Sequence, residues 1–274
     1  MRKIFAKSSL SAKKSLGQHF ILDQNLTDRI VNTTIADKKN LSDLTIIEIG
    51  PGPGGLTKSL LKLKPKHLYA IERDKRFIDI LRDLDQSQIN KLTIINDDAL
   101  KISIRDLGQM PRRIIANLPY NISTTLLINW LRQVKDIEQM TLMFQKEVAE
   151  RIIAQPSHKS YGRLSIITQW LCKVRLNFHI DKRAFVPPPK VDSSLITLTP
   201  HCEPLYPAKF EYLEKLTAIT FGQRRKMLRT SLKPLDIDIS ALGIDQTARP
   251  ENITIEEFCL LAQALERALT DNLN

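Results

Sequence analysis

The stretch TIIEIGPGPGG, residues 45–55, determines the fold class that we predict for this chain. Thr45–Ile49 is compact and rich in β-branched residues, which is typical of a buried strand. Gly50, Gly52 and Gly55 follow with the spacing G-x-G-x-x-G and precede a helix-like segment. A strand, a glycine-rich turn and a helix in this order are typical of α/β domains that bind nucleotides. A tight turn with a purely structural role is the alternative.

Two prolines in this turn narrow the choice of ligand. Pro51 and Pro53 have no backbone N–H, so the turn has fewer donors for a pyrophosphate than a dinucleotide site needs. S-adenosylmethionine has no pyrophosphate, and Glu48-x-Gly50-x-Gly52 resembles the first motif of the methyltransferases that use it. We therefore expect S-adenosylmethionine as the cofactor, with the glycines allowing it to approach the backbone closely.

Short apolar runs alternate with amphipathic segments on the C-terminal side of this stretch. Strand, helix and strand at this spacing predict βαβ units and a parallel sheet. We predict a Rossmann-like, class I methyltransferase fold, α/β, with a seven-stranded sheet whose last strand is antiparallel. Strands are expected at 45–49, 68–71, 92–95, 113–116, 141–144 and 191–199, and helices at 56–63, at 77–84 and after Ser123 as an N-cap.

A change of composition near residue 200 predicts a domain boundary. The segment 200–207 contains three prolines and has the composition of a linker. The pattern beyond it is helical, and Thr254 and Glu257 have the spacing of a capping box. We predict an S-adenosylmethionine-dependent methyltransferase domain at residues 1–200 and a small all-α RNA-docking domain at residues 201–274.

The charge of the chain favours a polyanionic partner. Lys and Arg number 41 against 30 Asp and Glu, a net charge of +11. Cations without acids cluster at residues 1–14 and again at residues 224–233. Such an excess attracts nucleic acid first, although a solvated helix face is the usual role of a charged run. No apolar run approaches the roughly 20 residues that cross a bilayer, so we expect no membrane contact.

The cysteines and histidines predict neither a disulfide framework nor a metal site. Three cysteines and five histidines are scattered along the chain, with no spacing typical of zinc ligands. An odd number of separated cysteines is typical of a reducing compartment, and we expect the protein to be cytoplasmic. We expect no metal in the reaction.

Polar residues at the ends of three predicted strands are candidates for the chemistry. Glu72 can accept hydrogen bonds from both ribose hydroxyls of a cofactor, and Asp98 can accept from an adenine amino group. Asn117-Leu118-Pro119-Tyr120 ends the fourth strand. The adenine amino group is a poor nucleophile, because its lone pair is delocalised into the ring. Two acceptors, the Asn117 side-chain oxygen and the Leu118 carbonyl, would favour the pyramidal nitrogen that can attack. Pro119 would fix the turn, and Tyr120 would stack on the base.

These residues identify a family that the chain resembles nearly from end to end: the small-subunit ribosomal RNA adenine dimethyltransferases. The motifs that carry the resemblance are Gly17–Phe20, Glu48–Thr57, Asn117–Ser123, Gln145–Val148, Tyr161–Ser165, Phe185–Ser193 and Gln223–Lys226. Their number and order make the resemblance specific. Residues 145–148 and 161–165 match motifs to which we assign a structural role.

The resemblance implies a role for each matching residue. The implied cofactor contacts are His19, Ile21, Gly50, Glu72, Asp98 and Asn117, and many relatives have Asn where His19 stands. The implied catalytic residues are Asn117, Leu118, Pro119, Tyr120 and Phe185, with the two aromatic rings holding the target base. For Phe185, the residues alone favour a core aromatic. We expect Arg224, Arg225, Lys226 and Arg229 to contact RNA phosphates, with the N-terminal arm around Lys13 and Lys14 as the alternative docking segment.

The resemblance also implies a substrate and a partner. The expected reaction moves methyl groups from S-adenosylmethionine to N6 of two adjacent adenosines in the 3′-terminal hairpin loop of 16S-type RNA. The expected partner is the precursor of the small ribosomal subunit, and we expect a monomer. Three alternatives stay open: a large-subunit RNA adenine methyltransferase of the antibiotic-resistance type, a non-catalytic ribosome assembly factor, and a nicotinamide dehydrogenase.

Overall fold

The computed structural model describes residues 12–13, 16–35, 41–85, 91–235 and 237–271. Its strands are β1 (Phe20–Ile21), β2 (Thr45–Ile49), β3 (His67–Ile71), β4 (Leu92–Ile95), β5 (Arg112–Asn117), β6 (Gln139–Gln145), β7 (Cys172–Ile180), β8 (Phe185–Val186) and β9 (Ser193–Pro200). Its α-helices are α1 (Gln24–Ile35), α2 (Gly55–Lys62), α3 (Ile78–Asp85), α4 (Ser123–Leu131), α5 (Lys146–Ile153), α6 (Arg163–Leu171), α7 (Phe210–Gly222), α8 (Leu228–Ser231) and α9 (Ile255–Asp271). None of these helices is long and apolar enough to span a membrane.

A seven-stranded sheet has the order β4-β3-β2-β5-β6-β9-β7. The pairs from β4 to β6 are parallel, with Ile47 of β2 opposite Tyr69 of β3 and Ile114 of β5. All five residues of β2 are buried, because a central parallel strand is covered on both faces. Strand β9 pairs with β6 in the antiparallel sense. The α/β fold, the seven strands and the antiparallel last strand in sequence are confirmed.

A second, two-stranded sheet joins distant parts of the chain. Phe20 of β1 lies opposite Val186 of β8, and Ile21 lies opposite Phe185, in an antiparallel pair. Phe20, Ile21 and Phe185 are all buried. This pairing fixes the position of β1, which precedes the seven-stranded sheet in the chain. Phe20 and Ile21 of β1 are also the residues that the glycine-rich turn contacts.

Two predicted helix starts have different outcomes. The prediction of Ser123 as an N-cap is wrong: Ile122 occupies that position, and the Ser123 hydroxyl donates instead to the Tyr120 carbonyl at 3.1 Å. The capping box before α9 is confirmed, since the Thr254 N–H donates to the Glu257 carboxylate at 2.8 Å and the Glu257 N–H donates to the Thr254 hydroxyl at 3.2 Å.

The chain forms two compact units. The first comprises Met1–Ala149 with Arg175–Pro200, and the second comprises Glu150–Val174 with His201–Asn274. Within the second unit, the Phe221 ring lies 5.8 Å from that of Phe258. The predicted division at residue 200 into two functional domains stays a prediction. The compact units follow that boundary, but the second also contains Glu150–Val174 from the earlier part of the chain.

Candidate active site

A solvent-open pocket lies in the first unit, at the carboxyl ends of the parallel strands β2 to β5. The space within it, open solvent at its mouth included, is about 1080 Å³. The carboxyl ends of parallel strands meet at one edge of a sheet, so residues distant in sequence come together here. Nine of the predicted site residues line it: His19, Ile21, Gly50, Glu72, Asp98, Asn117, Leu118, Pro119 and Tyr120.

The glycine-rich turn is shaped by its contacts with β1 as much as by the pocket. Gly50 and Gly52 have φ values of 66° and 54°, which favour glycine. A Cβ on Gly52 would lie 2.6 Å from the Phe20 ring, and one on Gly55 would overlap the Ile21 carbonyl oxygen. At Gly50, by contrast, the nearest atom would be 3.9 Å away. Of the three glycines, only Gly50 leaves room for a ligand to approach the backbone closely. At positions 52 and 55, glycine is required because β1 packs against the turn.

Replacing Gly55 with alanine tests this packing. The new Cβ would overlap a backbone carbonyl of β1, which cannot rotate away as a side chain can. We expect a loss of at least about 1 kcal/mol in the free energy of unfolding, measured by urea denaturation. The control is Gly222→Ala, where a Cβ meets no atom within 4 Å and should leave stability unchanged or higher. Equal free energies of unfolding for the two variants would show that β1 does not pack tightly against the turn.

Glu72 is held in place by the two loops that it faces. It is 5% exposed, and its carboxylate accepts hydrogen bonds from the Gly52 N–H at 2.9 Å and the Asp74 N–H at 2.7 Å. Burial raises the pKa of Glu72, and these two N–H donors oppose the rise. A carboxylate has about four lone-pair sites, so these two hydrogen bonds leave acceptor capacity for a donor in the pocket.

Glu48 is a second buried acid on the pocket wall. It is 1% exposed, and its Oε2 atom has no hydrogen-bond partner among the described residues. Burial, with a smaller contribution from the nearby charge of Glu72, raises the pKa of Glu48 to about 8. The ionised form of Glu48 is therefore disfavoured near neutral pH.

Asp98 follows β4 and is held on the pocket wall by two contacts. One carboxylate oxygen accepts from the Leu100 N–H at 3.1 Å, and the other lies 3.3 Å from the Arg73 guanidinium. The first contact fixes the carboxylate at the start of a short turn of helix, and the second keeps a positive charge beside it.

Asn117 has a defined amide orientation. Its Nδ2 atom donates to the His19 carbonyl oxygen at 2.7 Å, and no described residue donates to its Oδ1 atom. The side-chain oxygen is thus an available acceptor at the end of β5, beside the Leu118 backbone. The sequence predicted the acceptor at Asn117 but not the residue that fixes its orientation, because His19 lies 98 positions away.

The Tyr120 ring is fixed at its face and at its hydroxyl. The His19 ring stacks on it with centroids 5.5 Å apart and an angle of 28° between the planes. The Tyr120 hydroxyl lies 2.6 Å from the hydroxyl of Ser193, which is buried. His19 Nδ1 lies 2.8 Å from the Pro187 carbonyl, which only accepts, so this nitrogen carries the proton. Ser193 and Pro187 were not predicted as individual site residues, although both belong to the motif Phe185–Ser193 that carries the family resemblance.

Phe185 does not reach the pocket. Its ring is 1% exposed and packs in the hydrophobic core with Ile21, Met143 and Leu195. The structure therefore does not bring it together with Tyr120, and the conformation matches the core role that the residues alone favoured. Its role in holding a base stays a prediction.

A charged cluster fastens the segment before β1 to the pocket wall. Asp74 accepts from Gln18 Nε2 at 3.1 Å and from the Arg76 guanidinium at 2.6 Å, and it lies 4.0 Å from the Lys13 ammonium. The hydrogen bonds from Arg76, with a further one from Gln18, lower the pKa of Asp74 to about 2. Lys13, predicted as an alternative RNA contact, thus faces a carboxylate. Lys14 lies outside the described residues.

The four predicted RNA-binding cations fall into two groups. Arg224 donates to Glu251 at 2.5 Å and to the Lys159 carbonyl at 2.6 Å, so it is a structural ion pair of the second unit. Arg225, Lys226 and Arg229 are exposed and form no ion pair with any described residue. Arg224, Arg225 and Lys226 lie in the turn after α7, not on a helix face.

The fold and the site together define a class I, S-adenosylmethionine-dependent methyltransferase. The sheet order, the glycine-rich turn after β2 and the acids after β3 and β4 are the features of that class. Two solved structures agree. A dimethyladenosine transferase from Plasmodium falciparum superimposes with a TM-score of 0.75 at 25% identity, covering 92% of this chain and 98% of that one. The 23S rRNA methyltransferase ErmE gives a TM-score of 0.66 at 25% identity, with 90% and 99% covered.

The chain belongs to the ribosomal RNA adenine dimethylase family, whose model matches residues 9–267. Two curated relatives are named ribosomal RNA small subunit methyltransferase A. The protein from Paramagnetospirillum magneticum is 50% identical over 278 residues, covering 99% of this chain and 96% of the relative. The protein from Rhizobium meliloti is 47% identical over 270 residues, covering 97% of each chain.

Proposed function

We propose that the protein dimethylates N6 of two adjacent adenosines in the 3′-terminal hairpin loop of small-subunit ribosomal RNA during ribosome biogenesis. The observation that carries the proposal is the orientation of Asn117, whose Nδ2 atom is bound to His19 while Oδ1 is left as an acceptor in the pocket. The 50% identity to a small-subunit methyltransferase, against 25% to ErmE, favours the small subunit over the large-subunit alternative.

The residues present fit S-adenosylmethionine. Gly50 leaves room for a ligand, and the Glu72 carboxylate keeps acceptor capacity for the ribose hydroxyls. Asp98 can accept from the adenine amino group of the cofactor, and His19 and Ile21 line the same pocket. The Glu48 Oε2 atom, which has no partner among the described residues, is a further hydrogen-bonding group of this pocket.

Asn117 and Leu118 orient and activate the target adenine. Bound S-adenosylmethionine supplies a methyl group on a positively charged sulfur, a leaving group that needs no further activation. Asn117 Oδ1 and the Leu118 carbonyl accept the two N6 hydrogens, which directs the nitrogen lone pair at the methyl carbon. These two acceptors would hold N6 towards the methyl group that bound S-adenosylmethionine would supply, and water would take the proton that N6 releases. Positioning supplies most of the acceleration.

Tyr120 holds the adenine ring against the pocket. Ser193 and His19 fix its hydroxyl and one of its faces, so a flipped-out base meets an immobilised ring and little side-chain entropy is lost on stacking. Pro119 keeps Leu118 and Tyr120 on either side of one rigid turn. These roles also argue against a non-catalytic assembly factor and against a dehydrogenase.

We propose that Arg225, Lys226 and Arg229 contact RNA phosphates. Changing all three to alanine should weaken binding to immature small subunits and lower the salt slope of the affinity by roughly 0.7–0.9 for each phosphate that is no longer neutralised. Cofactor affinity should not change, and the methylation rate should largely recover at saturating subunit. Arg224→Ala is the comparison: it breaks the ion pair with Glu251, so we expect lower thermal stability and little change of slope. An unchanged slope in the triple variant would make these residues a solvated surface.

The expected partner is the small-subunit precursor with its 16S-type RNA. We expect the protein to bind it in the cytoplasm as a monomer. The test is incubation with labelled S-adenosylmethionine and small subunits that lack the modification, followed by digestion and chromatography. Label in dimethyladenosine from the 3′-terminal loop is expected. Label in large-subunit RNA would favour the rival methyltransferase, and binding of NADH in place of the demethylated cofactor would favour a dehydrogenase.

A further inference from the structure

A shallow polar groove lies between α1 and β7, and it shares no lining residue with the cofactor pocket. Along α1 it is lined by Asn25, Asp28, Arg29, Asn32 and Thr33, and along β7 by Arg175, Leu176, Asn177 and Phe178. The α1 residues recur at helical spacing on one face, and β7 is the terminal strand of the sheet order. All nine residues belong to the first compact unit.

Both arginines of the groove are exposed cations. Arg29 and Arg175 form no ion pair with any described residue. The Arg29 guanidinium lies 3.9 Å from the centroid of the Phe178 ring, so the aromatic face supports it while its N–H donors stay available. Two such cations in one groove make it attractive to an anion.

The one acid in the groove lining is already neutralised. Asp28 lies 3.0 Å from the Lys62 ammonium and also accepts from the Ser59 hydroxyl at 2.6 Å. The side-chain amides of Asn25 and Asn32 are exposed and hydrogen-bond to no described residue. The groove therefore presents unsatisfied N–H donors and positive charge, the combination that binds phosphate oxygens of nucleic acids.

We propose that this groove, the α1–β7 groove, is a second RNA-backbone site of the protein, which binds a phosphate-rich strand of ribosomal RNA outside the hairpin loop being methylated. The proposal rests on the proposed function only in taking ribosomal RNA as the partner. Charge complementarity selects the occupant: an apolar peptide would leave both arginines unpaired, whereas an RNA backbone pairs them. Arg29 can in addition present its guanidinium plane to an unstacked base.

The test is the double variant Arg29→Gln, Arg175→Gln, compared with wild type for binding to small subunits lacking the modification. Both side chains are exposed, so the fold should survive, and circular dichroism checks this. We expect a Kd about 10-fold higher, on the order of threefold for each arginine, and a salt slope lower by roughly 0.7–0.9 for each phosphate that is no longer neutralised. The control is Arg82→Gln, Lys66→Gln, which removes the same charge outside both pockets and should change Kd by less than the groove variant.

Four readouts separate the outcomes. An equal Kd and slope for the groove and control variants would overturn the proposal, even if wild type methylates the subunit. If wild type binds subunits but adds no methyl group to them, the proposed function fails while the binding comparison still decides the groove. Loss of binding to phosphatidylglycerol-containing vesicles with unchanged subunit binding would assign the groove to a lipid surface and overturn the RNA proposal. Methyl transfer to a short hairpin RNA should be equal in both variants, because the hairpin does not reach a second site.

Discussion

Asn117→Ala is expected to lose methyl transfer by a factor on the order of 100 to 1000, the usual effect of removing one oriented group that acts on developing charge in a transition state. In the proposed mechanism, Oδ1 is the acceptor that stabilises the attacking N6, and alanine has none. Affinity for the demethylated cofactor should fall only modestly. Single-turnover rates at saturating subunit and calorimetry with the cofactor product measure the two quantities.

Asn117 has a second role that a further variant separates from the first, because its amide also donates to the His19 carbonyl. Asn117→Asp keeps an acceptor at the same place but loses that donor. If the main role of Asn117 is to hold the segment around His19, both Asn117 variants should lose cofactor affinity by as large a factor as they lose methyl-transfer rate. Asn117 would then be a binding residue. The matched control is Asn129→Ala on α4, outside the pocket lining, with expected wild-type rates.

Glu72→Ala is expected to weaken cofactor binding by about 1–3 kcal/mol, or roughly 5- to 150-fold, since hydrogen bonds to a charged group are lost. In the proposed site, the ionised carboxylate is the form that accepts hydrogen bonds from both ribose hydroxyls. Because burial raises the pKa of Glu72, wild-type affinity should begin to fall on acidification at a higher pH than an ordinary glutamate would cause. Calorimetry between neutral and acidic pH measures both effects.

The alanine variant also leaves the Gly52 and Asp74 N–H groups without their acceptor, so its thermal stability should fall as well. Glu72→Gln retains an acceptor for one of them and should lose less stability, yet it should abolish the acid-side fall in affinity. Glu211→Ala, an exposed acid on α7, controls for the loss of one negative charge. A Glu72→Gln variant with an unaltered pH profile would remove Glu72 as the group that titrates.

The middle strands of the sheet could be predicted from the sequence because they are covered on both faces. The apolar run Thr45–Ile49 and its parallel neighbours leave no ambiguity of periodicity. Strand β7 was not located, since exposed residues such as Lys173, Arg175 and His179 alternate along an edge strand with a mixed pattern. Strands β1 and β8 have two residues each, too few for any periodic signal.

The candidate site could be predicted where local sequence determines position, and not where a long-range contact does. Residues that end parallel strands, such as Glu72 and Asn117, come together in any fold of this class. Arg224 and Arg225 look alike in sequence, and only the distant Glu251 makes the first an ion pair. The burial of Phe185 likewise depends on its pairing with Ile21, which lies 164 residues earlier in the sequence.

The antiparallel pairing of β6 with β9 has a consequence for synthesis of the chain. Gln139–Gln145 leaves the ribosome before its partner, and Ser193 is translated 48 residues after Gln145 (193 minus 145). At about 5–20 residues per second, that edge waits roughly 2–10 seconds unpaired. The nascent segment contains Met140, Leu142 and Phe144. Its unpaired edge can therefore bind other unfinished chains during that interval. Slow codons between the two strands would lengthen the exposure, and the yield of soluble enzyme should respond to synthesis rate more than to the stability of the finished fold.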